Sequence, residues 1–250
     1  MQYKNLNVAI LNHIPTRLSS ISLDIIEHLT RNFLCKRTLS AIVGDKMNPL
    51  HILRSAFMAG ICIGVAGFGF LSLKAQGQFL AGCVIFAFAL IAVISYRLFL
   101  YTGTAGFIQK REFVPLALVL IGNIIGCATF SLFTRLTPMP LQETAQALLQ
   151  SRLDSGLVNG FLLSIPCGFI MTTAVIHSRK RNRLPMLFGV PLFIVCGFPH
   201  CIADAFFYAC VPLDFWAAHV WEILPFYALI VAGNFVGCNF YRWVMGDNHS

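Results

Sequence analysis

From about position 53 onward the chain alternates long apolar runs with short polar or basic breaks. Each run holds about 20 residues, the length a helix needs to cross the hydrocarbon core of a bilayer. The pattern predicts six membrane spans, over residues 53–73, 79–100, 114–133, 157–176, 187–210 and 224–243. Residues 1–50 follow another rule. Ile21, Ile25, Ile26 and Leu29 recur at helical spacing, with Asp24, Glu27 and Arg31 among them. That spacing predicts an amphipathic helix lying on the membrane surface. The expected organisation is an amphipathic N-terminal segment (1–50), a six-span membrane domain (51–245) and a short tail (246–250).

The fifth run contains a conflict. Cys196-Gly197-Phe198-Pro199-His200-Cys201 sets a proline and an ionisable side chain inside it. Proline lacks a backbone donor and clashes with the preceding turn, so a helix breaks there. In lipid, a broken helix survives only where protein or a water-filled cavity satisfies the freed backbone groups. A histidine at such a break is costly in hydrocarbon, and it points to a permeation pathway. The plainer reading of His200 is a buried imidazole bonded to backbone.

An internal repeat extends the pattern. Gly122-Asn123-Ile124-Ile125-Gly126 lies in the third run, and Gly233-Asn234-Phe235-Val236-Gly237 lies in the sixth. Glycines four apart let helices approach closely. Each motif sits in the last span of a half, and three spans per half make the halves run in opposite directions. The repeat then requires a second break, in the second run. Leu100-Tyr101-Thr102-Gly103-Thr104-Ala105-Gly106 is the expected place, since its glycines punctuate a helix and its threonines compete for backbone groups. The fold class predicted is all-α integral membrane: six transmembrane helices as two inverted three-helix repeats, with broken second and fifth helices.

Composition changes this picture only at the edges. Of 250 residues, 57% are hydrophobic and 11% are charged, whereas soluble domains carry about 25% charged residues. A net charge of +8 does not indicate nucleic acid, because the positives cluster between the apolar runs. Lys110-Arg111, Arg179-Lys180-Arg181 with Arg183, and Arg242 share a side with the N-terminal positives. The positive-inside rule makes that side cytoplasmic. A multi-pass protein of a bacterial inner membrane with both termini cytoplasmic is expected. Trp216, Trp221 and Tyr208 suit the outer interface and Trp243 the inner one. The nine cysteines include no Cys-x-x-Cys pair, so neither a zinc site nor a disulfide framework is expected, and no cofactor. The polar Met-Gln-Tyr-Lys-Asn start gives no sign of a cleaved signal peptide.

Four ordered motifs make residues 50–245 resemble the formate/nitrite transporters, a family with hydrosulfide and lactate members. They are Ala59-Gly60-Ile61-Cys62-Ile63-Gly64 in the first span, Leu100-Tyr101-Thr102-Gly103 after the second, the two Gly-Asn-x-x-Gly motifs, and Gly197-Phe198-Pro199-His200-Cys201-Ile202-Ala203-Asp204 before Phe206-Phe207. The resemblance implies an aquaporin-like protomer, assembled as a homopentamer, with one pore per protomer lined by the two broken helices. It implies passage of a small monovalent anion, or of its neutral acid after proton transfer near a central histidine. Carried over by motif, Thr102 is the loop threonine, His200 the central histidine, and Asn123 and Asn234 the repeat asparagines. Phe86 and Phe193 fall at the outer constriction, and Leu90 and Leu100 near the inner one. The chain departs from the pattern at Pro199, where glutamate is usual, and at Asp204, where asparagine is usual. Ser164 is nearest to the span-four asparagine, and Arg152 is a stand-in for the lysine of the outer vestibule.

The physics behind that expectation stands apart from the resemblance. A bare carboxylate in a low-dielectric slot costs far more than its neutral acid. Histidine titrates near neutral pH and supplies a proton or a local positive charge. The leading expectation is a channel or proton-coupled transporter for a small monovalent acid anion. Formate comes first, then nitrite, hydrosulfide, acetate or lactate. Arg97, four residues before Tyr101, is either an interfacial snorkelling side chain or a pore charge. Asp204 is either a partner of His200 or a solvated helix end. Competing readings are a pore for water or ammonia and a transport-inactive structural membrane protein. A membrane enzyme would need clustered carboxylates or His/Cys ligands, which the sequence does not show.

Overall fold

Helix formation starts where Asn48 meets Pro49. The Asn48 side chain accepts the Leu50 N–H at 3.0 Å, and proline at the first helical position gives up a donor that would have no partner there. The computed structural model describes residues 48–108, 112–179 and 184–246. The amphipathic helix expected near 21–29, the basic residues Lys110, Arg111, Lys180, Arg181 and Arg183, and residues 247–250 lie outside the described residues.

Nine α-helices and no strand occur among the described residues. They are α1 (Pro49–Ala75), α2 (Phe79–Ser95), α3 (Tyr101–Thr104), α4 (Phe113–Ser131), α5 (Leu141–Asp154), α6 (Leu157–Arg179), α7 (Leu184–Val195), α8 (Cys201–Cys210) and α9 (Leu213–Met245). A 3₁₀ turn, Ala105–Phe107, prolongs α3, and another, Leu132–Arg135, prolongs α4. By length and composition, α1, α4 with its 3₁₀ turn, α6 and α9 are each long and apolar enough to cross a membrane. In the apolar run 79–100 the helix stops at Ser95, and the run 187–210 is divided between α7 and α8.

Three departures from the sequence-based expectation have physical reasons. The first interruption spans residues 96–100, ahead of the glycines expected to cause it, and Tyr101–Thr104 is helical. The helix is ended by a left-handed residue, Arg97, rather than by Gly103 or Gly106. The last helix starts at Leu213, well before position 224, because Pro212 precedes it and its first turns carry Asp214, His219 and Glu222, which kept them out of the apolar run. Helix α5 was not expected at all. It is too polar to register as a span, yet Leu141, Ala145 and Leu149 recur four apart and are all fully buried.

Within a mostly apolar core a set of polar side chains is buried, while many large apolar side chains are exposed. Thr102, Asn123, Ser164, His200, Asp204, Asn234 and Asn239 are buried, while Leu80, Phe88, Val158, Phe188 and Trp221 are exposed. Two helix pairs dominate the packing, α1 against α4 and α6 against α9. Both pairs cross at glycines. A Cβ on Gly126 would strike the Phe57 carbonyl and come within 3.0 Å of Gly60 Cα. A Cβ on Gly237 would strike the Ile165 carbonyl and come within 2.9 Å of Phe169 N. Backbone cannot yield as a flexible side chain can, so these crossings tolerate glycine alone. Gly126→Ala is expected to lower stability by about 1–3 kcal/mol through overpacking. Gly69→Ala, whose new Cβ meets only Ile85 Cγ2 at 3.4 Å, serves as the comparison. Thermal unfolding of the detergent-purified variants measures the difference, and equal losses at both positions would refute the crossing argument.

Candidate functional site

Both interruptions are built from the same bonds. Helix α2 ends in a Schellman turn: Leu98 N–H donates to Val93 O at 2.8 Å and Arg97 N–H to Ile94 O at 3.1 Å. Helix α7 ends in the same turn: Phe198 N–H donates to Phe193 O at 2.9 Å and Gly197 N–H to Ile194 O at 3.0 Å. The residue that must turn left-handed is Arg97 (φ 55°) in one and Gly197 (φ 70°) in the other. Glycine takes that conformation freely, whereas arginine does so at a cost of about 1 kcal/mol.

Each turn frees backbone groups that water cannot reach, and one asparagine collects them. Asn123 Nδ2 donates to Phe99 O at 2.9 Å and to Ala56 O at 2.8 Å, while its Oδ1 accepts Tyr101 N–H at 2.9 Å. Asn234 Nδ2 donates to Pro199 O at 2.9 Å and to Ser164 O at 2.8 Å, while its Oδ1 accepts Cys201 N–H at 2.8 Å. The side-chain amide is the one neutral group with two donors and an acceptor on a common plane. It ties the last residue but one of the break, the first residue of the next helix and a neighbouring long helix into one knot. Cysteines one residue past each Gly-Asn-x-x-Gly motif add a crossed contact. Cys127 Sγ lies 3.4 Å from Ile202 O, and Cys238 Sγ lies 3.4 Å from Thr102 O.

The two breaks meet at Thr102 and His200. Thr102 Oγ1 and His200 Nε2 are 3.0 Å apart, and both residues are buried. His200 also caps α8: its Nδ1 accepts Ala203 N–H at 3.1 Å. An acceptor at Nδ1 puts the proton of the neutral ring on Nε2. Nε2–H therefore donates to Thr102 Oγ1, and the Thr102 hydroxyl hydrogen points away from the imidazole. Phe193 stacks on the ring, with centroids 5.4 Å apart and planes 25° apart. A ring held on one face and at both nitrogens has a fixed orientation.

The other residues singled out in the sequence divide. Phe193, Asn123 and Asn234 join Thr102 and His200. Leu90 and Leu100 are buried. Phe86 belongs to an aromatic cluster with Phe70 and Phe207, at centroid distances of 6.2 and 6.4 Å. Arg97 is exposed at the first turn, where its backbone does the structural work. Asp204 is neither a partner of the His200 ring nor a solvated helix end. Both imidazole nitrogens are engaged elsewhere, and the buried Asp204 carboxylate faces Arg152, with Oδ1 3.7 Å from Nε. Ser164 contributes its carbonyl to the Asn234 knot, and its hydroxyl bonds Phe161 O at 2.7 Å. Among the described residues, no group of three or more His, Cys, Asp or Glu side chains is placed to hold a metal ion.

Sequence reasoning missed the support of the second break. Arg152, on α5, donates from Nη1 to Gly197 O as well as facing Asp204. The four-residue spacing of Leu141, Ala145 and Leu149 was the signal for the helix that carries it.

Comparison with known proteins bears on the family and the fold. The model of the formate/nitrite transporter family matches residues 39–245. Among solved structures, a pentameric formate channel with formate bound is 20% identical, with a TM-score of 0.65, covering 79% of this chain and 97% of that one. An FNT family ion channel is 17% identical, with a TM-score of 0.75, covering 86% of this chain and 98% of the other. At these identities the likeness is one of fold. No match was found among curated proteins.

Because each asparagine holds three buried backbone groups, Asn123→Ala and Asn234→Ala are each expected to cost about 3 kcal/mol or more. Thermal unfolding of the purified variants checks this. A loss in one variant without the other would contradict the equivalence of the two knots.

Proposed function

This chain belongs to the formate/nitrite transporter family, and on that premise we propose that it is a channel or proton-coupled transporter for a small monovalent acid anion, formate first. The observation that carries this reading is the meeting of Thr102 and His200, 98 residues apart in sequence, at 3.0 Å in the buried centre. Six spans are assigned to α1, α2 with α3, α4, α6, α7 with α8, and α9. The duplicated turns and asparagine knots support two inverted three-helix repeats, since the same bonds recur with different side chains around them.

The passage runs between the two breaks. A fixed Nε2–H bonded to Thr102 Oγ1 leaves the threonine O–H as a donor toward a passing solute. An anion reaching it exchanges hydration for a hydroxyl and a polarised imidazole; a proton entering from the water side, carried by His200 as the imidazolium, passes to the anion, which leaves as the neutral acid while the ring returns to its neutral form. Phe86 and Phe193 are assigned to an outer constriction and Leu90 and Leu100 to an inner one, apolar surface that disfavours the charged form. The N-terminus of α8 adds its positive dipole end beside His200. The domain is assigned to residues 51–245 of an inner-membrane protein with both termini cytoplasmic, and the apolar exterior suits lipid and a homopentamer. A solved protein of the same fold is described as a pentameric formate channel with formate bound.

In proteoliposomes, formate uptake is expected to rise as pH falls, and His200→Asn is expected to flatten that dependence. Thr102→Val, which removes one hydrogen bond to the solute, should slow uptake about tenfold. Uptake of labelled formate against an internal pH dye, with water permeability measured by stopped flow, tests both. A parent protein that conducts water and no small acid would overturn the anion reading in favour of a neutral-solute pore.

A further inference from the structure

A groove follows the α1/α4 crossing on its outer face, between Leu53, Arg54, Phe57 and Met58 of α1 and Gly122 and Ile125 of α4. The two helices run parallel, since Gly122 lies against Leu53 and Ala56, and Gly126 against Phe57 and Gly60. The groove therefore begins near the starts of both helices and leads inward. Arg54 stands about 8 Å and Met58 about 14 Å along α1 from Pro49, at the rise of an α-helix. Its volume is about 480 Å³, within the range of about 300–1,000 Å³ that ligand sites take. The wall is apolar even where Arg54 forms part of it. Arg54 thus lends its aliphatic stem to the groove and carries the guanidinium to the rim. Met58 and Ile125 are each 47% exposed. Arg54 is exposed too, and among the described residues no carboxylate pairs with it.

Charge decides what covers this groove. A second copy in the same membrane orientation brings no described carboxylate to Arg54. Glu143 and Asp154 lie on α5, which joins the far end of α4 to the start of α6. Asp214 and Glu222 lie in the first turns of α9, which starts level with α6, since Gly233 meets Phe161 and Ser164 and Gly237 meets Ile165 and Phe169. The other described acids, Glu112 and Asp204, are buried. An anionic phospholipid supplies both complements at once: a phosphate for the guanidinium fork and a chain for the apolar trough. We propose that the α1/α4 groove binds one anionic phospholipid, its phosphate at Arg54 and an acyl chain along Phe57, Met58, Gly122 and Ile125. The lipid then supports the first break from behind. Ala56, whose carbonyl binds Asn123, lies between the groove residues Arg54 and Phe57, and Gly122 directly precedes Asn123. The site depends on the membrane setting and not on the solute carried, so it stands or falls apart from the transport reading.

The test is native mass spectrometry of the full-length protein in detergent, offered equimolar dioleoyl phosphatidylglycerol and dioleoyl phosphatidylcholine. The parent is expected to retain one phosphatidylglycerol per chain, preferred about fivefold, as one arginine at a lipid surface allows. Arg54→Gln should abolish that preference and Arg54→Lys should keep part of it. Met58→Trp or Ile125→Trp, each filling the trough, should release both lipids, and either folded variant suffices. Phosphatidylglycerol should also raise the unfolding temperature of the parent and not that of Arg54→Gln. Equal retention of the two lipids by the parent, or an undiminished preference in Arg54→Gln, would overturn the proposal. So would an unfolding temperature raised as far by glycerol 3-phosphate, which has the headgroup phosphate and no chain. A tryptophan variant that keeps its lipid and changes its subunit number would assign the groove to a second copy instead.

Discussion

A backbone that stops being helical inside a membrane must find its hydrogen bonds within the protein or in a water-filled cavity, because lipid supplies none. The whole arrangement follows from how this chain meets that demand. Each interruption frees a carbonyl on one side and an N–H on the other, and each is answered by one asparagine on a long helix of the same half. The third bond of each amide, to Ala56 O or Ser164 O, fastens the knot to the helix that crosses at glycine. Close crossing and knot depend on each other. If α1 and α4 stood a methyl group further apart, Asn123 could not span from one to the other.

That dependence is what lets a polar site exist in an apolar body. With the backbone satisfied by asparagine, the first side chains after each break are free for other work. His200 spends one nitrogen capping α8 and turns the other to Thr102. The cap matters chemically, because it fixes which nitrogen carries the proton. An imidazolium, a donor at both nitrogens, would have to release Ala203 N–H. Protonation of the centre is thus coupled to the first turn of α8, and so to the helix that carries Asp204 and Tyr208.

The apolar helices, the repeat asparagines and the residues of the central contact were legible in the sequence, because apolar length and a duplicated motif are local signals. The first break was legible in existence and wrong in place. Gly103 and Gly106 drew attention, yet the turn is made at Arg97, and nothing in an arginine announces a left-handed backbone. Only superposing the halves would have aligned it with Gly197. Helix α5 escaped for a different reason. A search for spans discards polar segments, and the buried face of α5 is just Leu141, Ala145 and Leu149. With α5 missing, Arg152 was read only as a stand-in for the vestibule lysine, and Asp204 had no visible partner other than the histidine one turn away.

Pro199 looked like the most disruptive departure from the family pattern, and the repeat explains why it is tolerated. Its counterpart in the first break is Phe99, whose N–H needs an acceptor and finds the Ser55 hydroxyl at 3.1 Å. Ser55 directly precedes Ala56, the residue whose carbonyl binds Asn123. The corresponding residue in the second half directly precedes Ser164, and it is Leu163, which has no hydroxyl to offer. A residue with an N–H at position 199 would leave that donor without the acceptor its counterpart has, at a cost of about 1–3 kcal/mol. Proline removes the donor and keeps the carbonyl that Asn234 requires. Serine with phenylalanine in one half and leucine with proline in the other are therefore two solutions to one hydrogen-bond problem. The proline is a local adjustment of the break and leaves the central contact between Thr102 and His200 intact.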